Sequence, residues 1–400
     1  MSKTLVNIIT DDNPIPAYLF IKEMYEEGDR LMYISAKDTE DDLNALSELF
    51  SIPATHIDEI VLKNHIDECT YEKICRTILE RLNHETSYSV NLAGGTRYMA
   101  LAVQQVFEKF KSTFYYVQVD ENLIVQSIFD DSIYDNDDIF YPIKHRMTIA
   151  EYLRAHEIKT DVDTDGHSPI RSEEEVTRFF KMFADNRLSG HDYGTMELLR
   201  TKYREKKKIC IQEVETSTKP QYPAIPYLTS FLNHIKFIPN VKGMLNRDEL
   251  EYLTGGWFEE YVYYQVKKNI NPQDIAIGIH ISRNNNTNHR NELDVVFTKG
   301  NKLFVIECKT GVQTYSMFNE IVYKACAIKE ALLGVSCNSY IFSLKKDDEK
   351  NNLKRIAENM ELTFIDYDIL KNPSKLKLTM VKMDLQAKDS HPSTSDDGVL

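Results

Sequence analysis

Glu292, Asp294, Glu307 and Lys309 interrupt the apolar runs of the stretch "NELDVVFTKGNKLFVIECKTG" between Asn291 and Gly311. The apolar residues spell two strands, and Gly300-Asn301 between them is a two-residue hairpin turn of a favoured kind. Counting outward from that turn sets Lys299 opposite Lys302, Asp294 opposite Glu307 and Glu292 opposite Lys309. Strand side chains alternate, so the four are predicted to share one face. Facing carboxylates destabilise a sheet, and a divalent cation between Asp294 and Glu307 would relieve the repulsion. Both are hard oxygen ligands suited to Mg2+ or Mn2+. The backbone carbonyl of Cys308 could add a ligand, and Glu259 or Glu260, on the helix upstream, could complete the set. Lys309 could hold the attacking water and stabilise the transition state by its charge. That is the equipment of metal-assisted phosphodiester cleavage. A half-exposed strand face carrying a Glu292–Lys309 ion pair is the plainer reading, and it leaves the facing acids unexplained.

A second constellation lies near the N-terminus. "TLVNIIT", "RLMYIS", "EIVLK" and "YSVNLAGG" read as strands, each followed by a helical pattern, and "TFYYVQV" and "NLIVQSIF" close the series as strands. Such alternation over the first ~140 residues predicts an α/β, Rossmann-like parallel sheet with right-handed crossovers. With strand order 3-2-1-4-5, ligands bind between the loops leaving strands 1 and 4. Those loops hold Thr10, Asp11, Asp12 and Asn13, and Gly94, Gly95, Thr96 and Arg97. The glycines let backbone approach a ligand, Thr96 can cap the next helix, and Arg97 beside a helix N-terminus suits phosphate. No GxGxxG follows strand 1, which disfavours an ordinary NAD site. The two aspartates would repel phosphate and suit ribose or base groups instead.

Elements must hold these sites in place. "MTIAEYLRAHEI" opens with a capping box from Thr148 to Glu151 and predicts a helix, as does "EEEVTRFFKMFADN". Residues 146–242 are taken as a helical connector, in which "DVDTDGHSP" is a loop and the Pro-rich "STKPQYPAIPY" a linker. The basic run "TKYREKKK" (201–208) is either a solvated helix face or, through Lys206, Lys207 and Lys208, a contact for nucleic-acid phosphates. From 243 to 385 the order is helix, strand, hairpin, helix ("MFNEIVYKACAIKEALLG") and strand, and the polar residues 386–400 read as a disordered tail.

The 400 residues allow two or three domains. Six cysteines without CxxC spacing, no signal-like start and no long apolar run point to a reduced, cytoplasmic, non-membrane protein. A net charge of −14 argues against indiscriminate nucleic-acid binding by the whole surface.

The hairpin with its upstream helix resembles the PD-(D/E)xK nuclease motif, through Glu259, Asp294 and the "ECK" of Glu307, Cys308 and Lys309. The tight "PD" is replaced by "EL" before Asp294. The N-terminal domain (1–145) resembles a CARF domain, the Rossmann-like sensor of CRISPR systems, chiefly through "NLAGGTRYMALAV". Together with "GGWFEE", "NELDVVF" and "VIECKTG", the order is similar to the CARF-nuclease effectors of type III CRISPR systems. The resemblance implies a homodimer that binds a cyclic oligoadenylate, usually cyclic tetra-adenylate, and then cleaves single-stranded RNA or DNA, or nicks duplex DNA, with Mn2+ or Mg2+ in antiviral defence. It implies Asp294 and Glu307 as metal ligands, Lys309 as catalytic, and Thr10 to Asn13 with Gly94 to Arg97 as the activator pocket. The rival expectation is a cyclic-nucleotide-sensing regulator whose second domain binds nucleic acid or a partner without cutting. An intact Asp294, Glu307 and Lys309 set argues against it, since a binder has no need of them.

Overall fold

The computed structural model describes residues 3–9, 13–36, 49–62, 71–127, 139–164, 166–283, 291–310, 337–345 and 353–387. The N-terminal part contains β1 (Thr4–Ile9), α1 (Ile15–Met24), β2 (Arg30–Ala36), β3 (Ile57–Leu62), α2 (Tyr71–Leu79), β4 (Ser87–Asn91), α3 (Arg97–Phe107), β5 (Lys111–Gln118), β6 (Leu123–Ser127) and β7 (Phe140–Pro142). Its strands form one sheet in the order β3-β2-β1-β4-β5-β6-β7. Every residue of β1 is buried, as expected for a central parallel strand covered on both faces. β1 to β5 are parallel, so β1 and β4 are neighbours at the switch point. The sheet is not wholly parallel, because Asn122 takes left-handed φ of 51° and turns β6 back against β5, with β7 antiparallel after it.

The remaining elements are α4 (Ile149–Ala155), β8 (Ile158–Thr160), α5 (Glu173–Ala184), α6 (Gly190–Leu198), β9 (Lys208–Cys210), α7 (Ile211–Glu215), β10 (Thr218–Lys219), β11 (Tyr222–Pro223), α8 (Leu228–His234), β12 (Met244–Asn246), α9 (Arg247–Glu251), α10 (Trp257–Asn269), β13 (Asp274–Arg283), β14 (Asn291–Lys299), β15 (Lys302–Lys309), β16 (Cys337–Ser343), α11 (Leu353–Asn359), β17 (Thr363–Ile365), α12 (Tyr367–Leu370) and α13 (Pro373–Ala387). A second sheet runs β17-β16-β15-β14-β13-β8. The helix expected over 317–334 lies outside the described residues, and so does 388–400 of the expected tail. Ala387 still belongs to α13.

Residues 146–242 do more than connect. β8 pairs with β13 and forms the edge of the second sheet. Val176, Phe179, Leu199, Ile225 and Phe231 share a core with Trp257, Phe258 and Val262 of α10 and with Phe297, Phe304 and Ile306 of the hairpin. The "linker" is folded because Ile225 is buried and the Tyr203 hydroxyl donates to the Pro223 carbonyl at 2.8 Å. The two expected helices form with capping boxes at Thr148–Glu151 and Ser172–Glu175.

A further core spans both sheets. Leu5, Tyr18, Phe20 and Val117 from the first pack with Ile149 and Leu153 of α4 and with Ile279, Leu293, Val296 and Leu303 of the second. The tip of the β14–β15 hairpin is also anchored on the N-terminal sheet. Asn301 Nδ2 donates to Asn122 Oδ1 (2.9 Å) and to the His145 carbonyl (3.1 Å), and its Oδ1 accepts the Met147 N–H (2.9 Å).

Candidate active site and activator pocket

The β14–β15 ladder has the register counted from the turn: Lys299 faces Lys302, and pairing continues to Val295 opposite Ile306. Beyond that pair the strands depart from simple alternation. Gly278 of β13, next to Asp294, has φ of 62°, and the core assignment switches across it: Ile275 and Ile277 pack on the α10 side, Ile279 and Ile281 on the N-terminal side. A left-handed residue rotates the strand, which only glycine adopts at no steric cost. The same switch occurs on β14, where Leu293 packs on the N-terminal side and Val295 on the α10 side, so strict alternation breaks at Asp294. Glu292 lies opposite His280 on the β13 side, and Lys309 turns to Asp294 and Glu307.

Asp294 and Glu307 are only 7% and 4% exposed. Asp294 Oδ2 accepts the Cys308 N–H at 2.6 Å, which fixes its carboxylate against β15. Lys309 Nζ lies 3.4 Å from Asp294 Oδ2 and 2.5 Å from Glu307 Oε1, so the positive charge between the two acids is supplied here by the lysine. Burial works against that charge, but Asp294 and Glu307 outweigh it and hold the amine protonated above its usual range.

On α10, Glu259 and Glu260 face different neighbours. Neighbouring helix positions point about 100° apart. Glu260 turns to the connector and accepts the backbone N–H groups of Ile170 (3.0 Å) and Arg171 (3.1 Å); burial pushes its pKa up to about 7. Glu259 faces the hairpin. Burial, then the charges of Asp294 and Glu292, push its carboxyl well above the ordinary range. Four acids drawn together with one lysine make a place short of positive charge. Among the described residues no three His, Cys, Asp or Glu side chains already close into a cage around one point. The donor chemistry of Asp294, Glu307 and Glu259 nevertheless fits a hard divalent cation. Burial pushes the Cys308 thiol up, so it is inert, and only its carbonyl is suited to such an ion.

Glu259, Glu292, Asp294, Cys308 and Lys309 line a cavity of about 1090 Å3, together with Arg200, Arg204 and Arg247. Arg204 belongs to the basic run 201–208 singled out in the sequence, whereas Arg200 and Arg247 were missed. Lys206 stacks over the Tyr222 ring at 3.9 Å, Lys207 is exposed, and Lys208 is paired in β9. The run thus divides: Thr201 and Lys202 lie on an exposed helix face, Arg204 lines the cavity, and the three lysines named for phosphate contact do not. His280 was also missed. Its Nδ1 lies 3.0 Å from Asp161 Oδ2, and Asp161 Oδ1 is 3.3 Å from His167 Nε2, within the "DVDTDGH" expected as a loop.

At the N-terminal switch point, Thr10, Asp11 and Asp12 lie outside the described residues. Asn13 Oδ1 accepts the Ile15 N–H (3.1 Å) just ahead of α1, and the Thr96 hydroxyl oxygen accepts the Met99 N–H (3.2 Å), capping α3. Gly94 and Gly95 have φ of 132° and 64°, and a Cβ on either would sit 2.3 Å from the Ile8 carbonyl or 2.4 Å from Ile8 Cγ2. The glycines thus press the β4 loop onto the end of β1. Beneath them, buried Asn91 donates to Asn7 Oδ1 (3.1 Å) and accepts the Ala93 N–H (3.0 Å), tying the two strand ends together. Arg97 begins α3, so Asn13 and Gly94 to Arg97 gather at one end of adjacent strands.

Residues 4–152 match the family model described as Card1 CARF domain, and residues 246–378 match that described as Card1-like, endonuclease domain. No curated protein matches the chain. Among solved structures, protein VC1899 from Vibrio cholerae is 20% identical with a TM-score of 0.74, over 97% of this chain and 99% of that one. Can2 from Sulfobacillus thermosulfidooxidans, solved in complex with cyclic tetra-adenylate, is 22% identical with a TM-score of 0.64, over 95% and 98%. At these identities the likeness is one of fold, and it extends across both halves. The chain joins a CARF domain of the Card1 type to a Card1-like endonuclease domain.

Proposed function

We propose that the protein is a cyclic-oligoadenylate-activated, metal-dependent nuclease that works as a homodimer in the cytoplasm, with cyclic tetra-adenylate as activator and single-stranded RNA or DNA as substrate. The observation that carries this reading is the meeting of Asp294, Glu307, Lys309 and Glu259 beside one cavity within the endonuclease domain. Asp294, Glu307, Glu259 and the Cys308 carbonyl would hold Mn2+ or Mg2+, which when bound supplies an acidified water and neutralises charge at phosphorus. Lys309, kept protonated, stabilises negative charge developing on the phosphoryl oxygens. Asp294, fixed by the Cys308 N–H, orients that lysine through their 3.4 Å contact. The switch-point loops of the CARF domain suit an activator with both phosphates and bases: helix N-terminus and Arg97 for the former, polar side chains such as Asn13 for the latter. The Can2 complex with cyclic tetra-adenylate supports this choice of ligand. A twofold dimer would set two such crevices around one symmetric ring.

The test mixes protein and Mn2+ with labelled single-stranded RNA, single-stranded DNA or supercoiled plasmid, with and without cyclic tetra-adenylate, beside Lys309→Ala. Cleavage only with activator, lost in the variant, is expected. Tight activator binding without cleavage of any substrate would favour the non-cutting regulator.

A further inference from the structure

We infer that Arg200, in the connector, is a positioning residue of the nuclease site, strapping together the two backbone segments that carry Glu259 and Lys309. The inference rests on the nuclease reading for its chemistry and on geometry for its assignment.

Arg200 sits in the widened turn Leu199–Tyr203 that continues α6, between two anchored neighbours, Leu199 and Tyr203, both buried. Its guanidinium makes a fork. Nε and Nη2 both donate to the Thr254 carbonyl, at 3.0 and 2.8 Å, and Nη2 also reaches the Thr310 hydroxyl at 3.3 Å. Thr254 lies in the turn before α10, three residues ahead of Trp257 and five ahead of Glu259. Thr310 directly follows Lys309. The same two segments run close together at Gly255, where an added Cβ would lie 3.8 Å from Thr310 Oγ1.

Each segment is itself held. The Thr254 hydroxyl donates to the Leu250 carbonyl at 2.8 Å, and the Lys309 carbonyl accepts the Leu344 N–H at 2.9 Å. Arg200 therefore joins two stiff segments and sets the spacing between a carboxylate on one and an amine on the other. A guanidinium suits this, because its planar donors are fixed in one fork and its charge is permanent. A lysine ammonium also has three donors, but on a flexible stem without the planar fork it would fix the spacing less rigidly. Glu197, 3.6 Å from Nη1, steadies the free side of the fork.

The experiment compares full-length wild type with Arg200→Ala and Arg200→Lys in two measurements. In activator-dependent cleavage with Mn2+, Arg200→Ala is expected to lose about 100-fold in kcat with KM for the oligonucleotide near wild type, since a misplacement of about 1 Å costs that much. Arg200→Lys should recover only a small part of it, and millimolar guanidinium should restore activity to the alanine variant. In hydrogen exchange, which needs no activity, the alanine variant should speed exchange about tenfold in peptides covering 250–258 and 306–310, with β1 to β5 unchanged. Wild-type kcat in Arg200→Ala, or full recovery in Arg200→Lys, would overturn the strap. If wild type cleaves nothing, the nuclease reading fails, and unchanged exchange at both segments would overturn the strap independently.

Discussion

The sharpest test of the contact between the two halves is Asn301→Ala. Asn301 is 1% exposed and holds left-handed φ of 58° at the tip of the hairpin whose far end carries Asp294 and Lys309. Its amide serves three partners: Asn122 Oδ1, the His145 carbonyl and the Met147 N–H. Alanine removes all three bonds. A buried partner left without its bond costs about 1–3 kcal/mol, and a left-handed alanine adds up to about 1 kcal/mol over asparagine. Allowing water to reach one of the three, the loss comes to about 4 kcal/mol, a large share of a typical 5–15 kcal/mol. Trp257 is the sole tryptophan and is 1% exposed in the nuclease core, so its fluorescence in urea reports unfolding of that half. With m of about 4 kcal/mol/M for a chain this long, the midpoint should fall by about 1 M. Asn301→Gly should recover the backbone part, about a quarter of the loss. A midpoint change below about 0.2 M in the alanine variant would refute the reasoning, because the three bonds would then contribute nothing to docking.

Lys309→Met leaves Asp294, Glu307 and Glu259 facing one another without a cation; its melting temperature should drop in chelator and rise with Mn2+ by more than that of wild type, while cleavage falls about 1000-fold, as calorimetry and a cleavage assay would show. Gly95→Ala forces a Cβ to 2.4 Å from Ile8 Cγ2 at φ of 64°, and titration calorimetry should find affinity for cyclic tetra-adenylate reduced at least tenfold, about 1.4 kcal/mol. Burial opposes the charge on Glu151, but hydrogen bonds from His145, Thr148 and Tyr18 outweigh it and lower its pKa to about 2 from 4.5. The unfolded chain therefore binds the proton more readily, so this stability is complete above pH 4.5 and is lost as pH falls toward 2. It amounts to about 3 kcal/mol, and urea midpoints across that range should flatten in Glu151→Gln.

What the sequence made legible was local. Gly300-Asn301 fixed the hairpin register because turn type and loop length leave one pairing, and the switch-point pair β1 and β4 followed from the strand–helix alternation. Gly278 hid the twist at Asp294, since a glycine inside a strand pattern does not announce its φ. Asp161, Arg200 and His280 could not be placed because they act across 50 residues or more of chain, with nothing periodic to mark them. The Pro-rich stretch misled for a related reason: a few buried residues, Ile225 above all, folded what composition described as a linker.

The apolar core shared by the two sheets bears on how such proteins can be recombined. Tyr18 and Phe20 on one side and Ile279, Leu293 and Val296 on the other are one packed interior. Splicing a different sensor onto this nuclease at residue 145 would transplant half a core against a surface shaped for another, and the chimera would begin with a wound of exposed isoleucine and leucine. Exchange of modules at this seam therefore requires the facing residues to travel together.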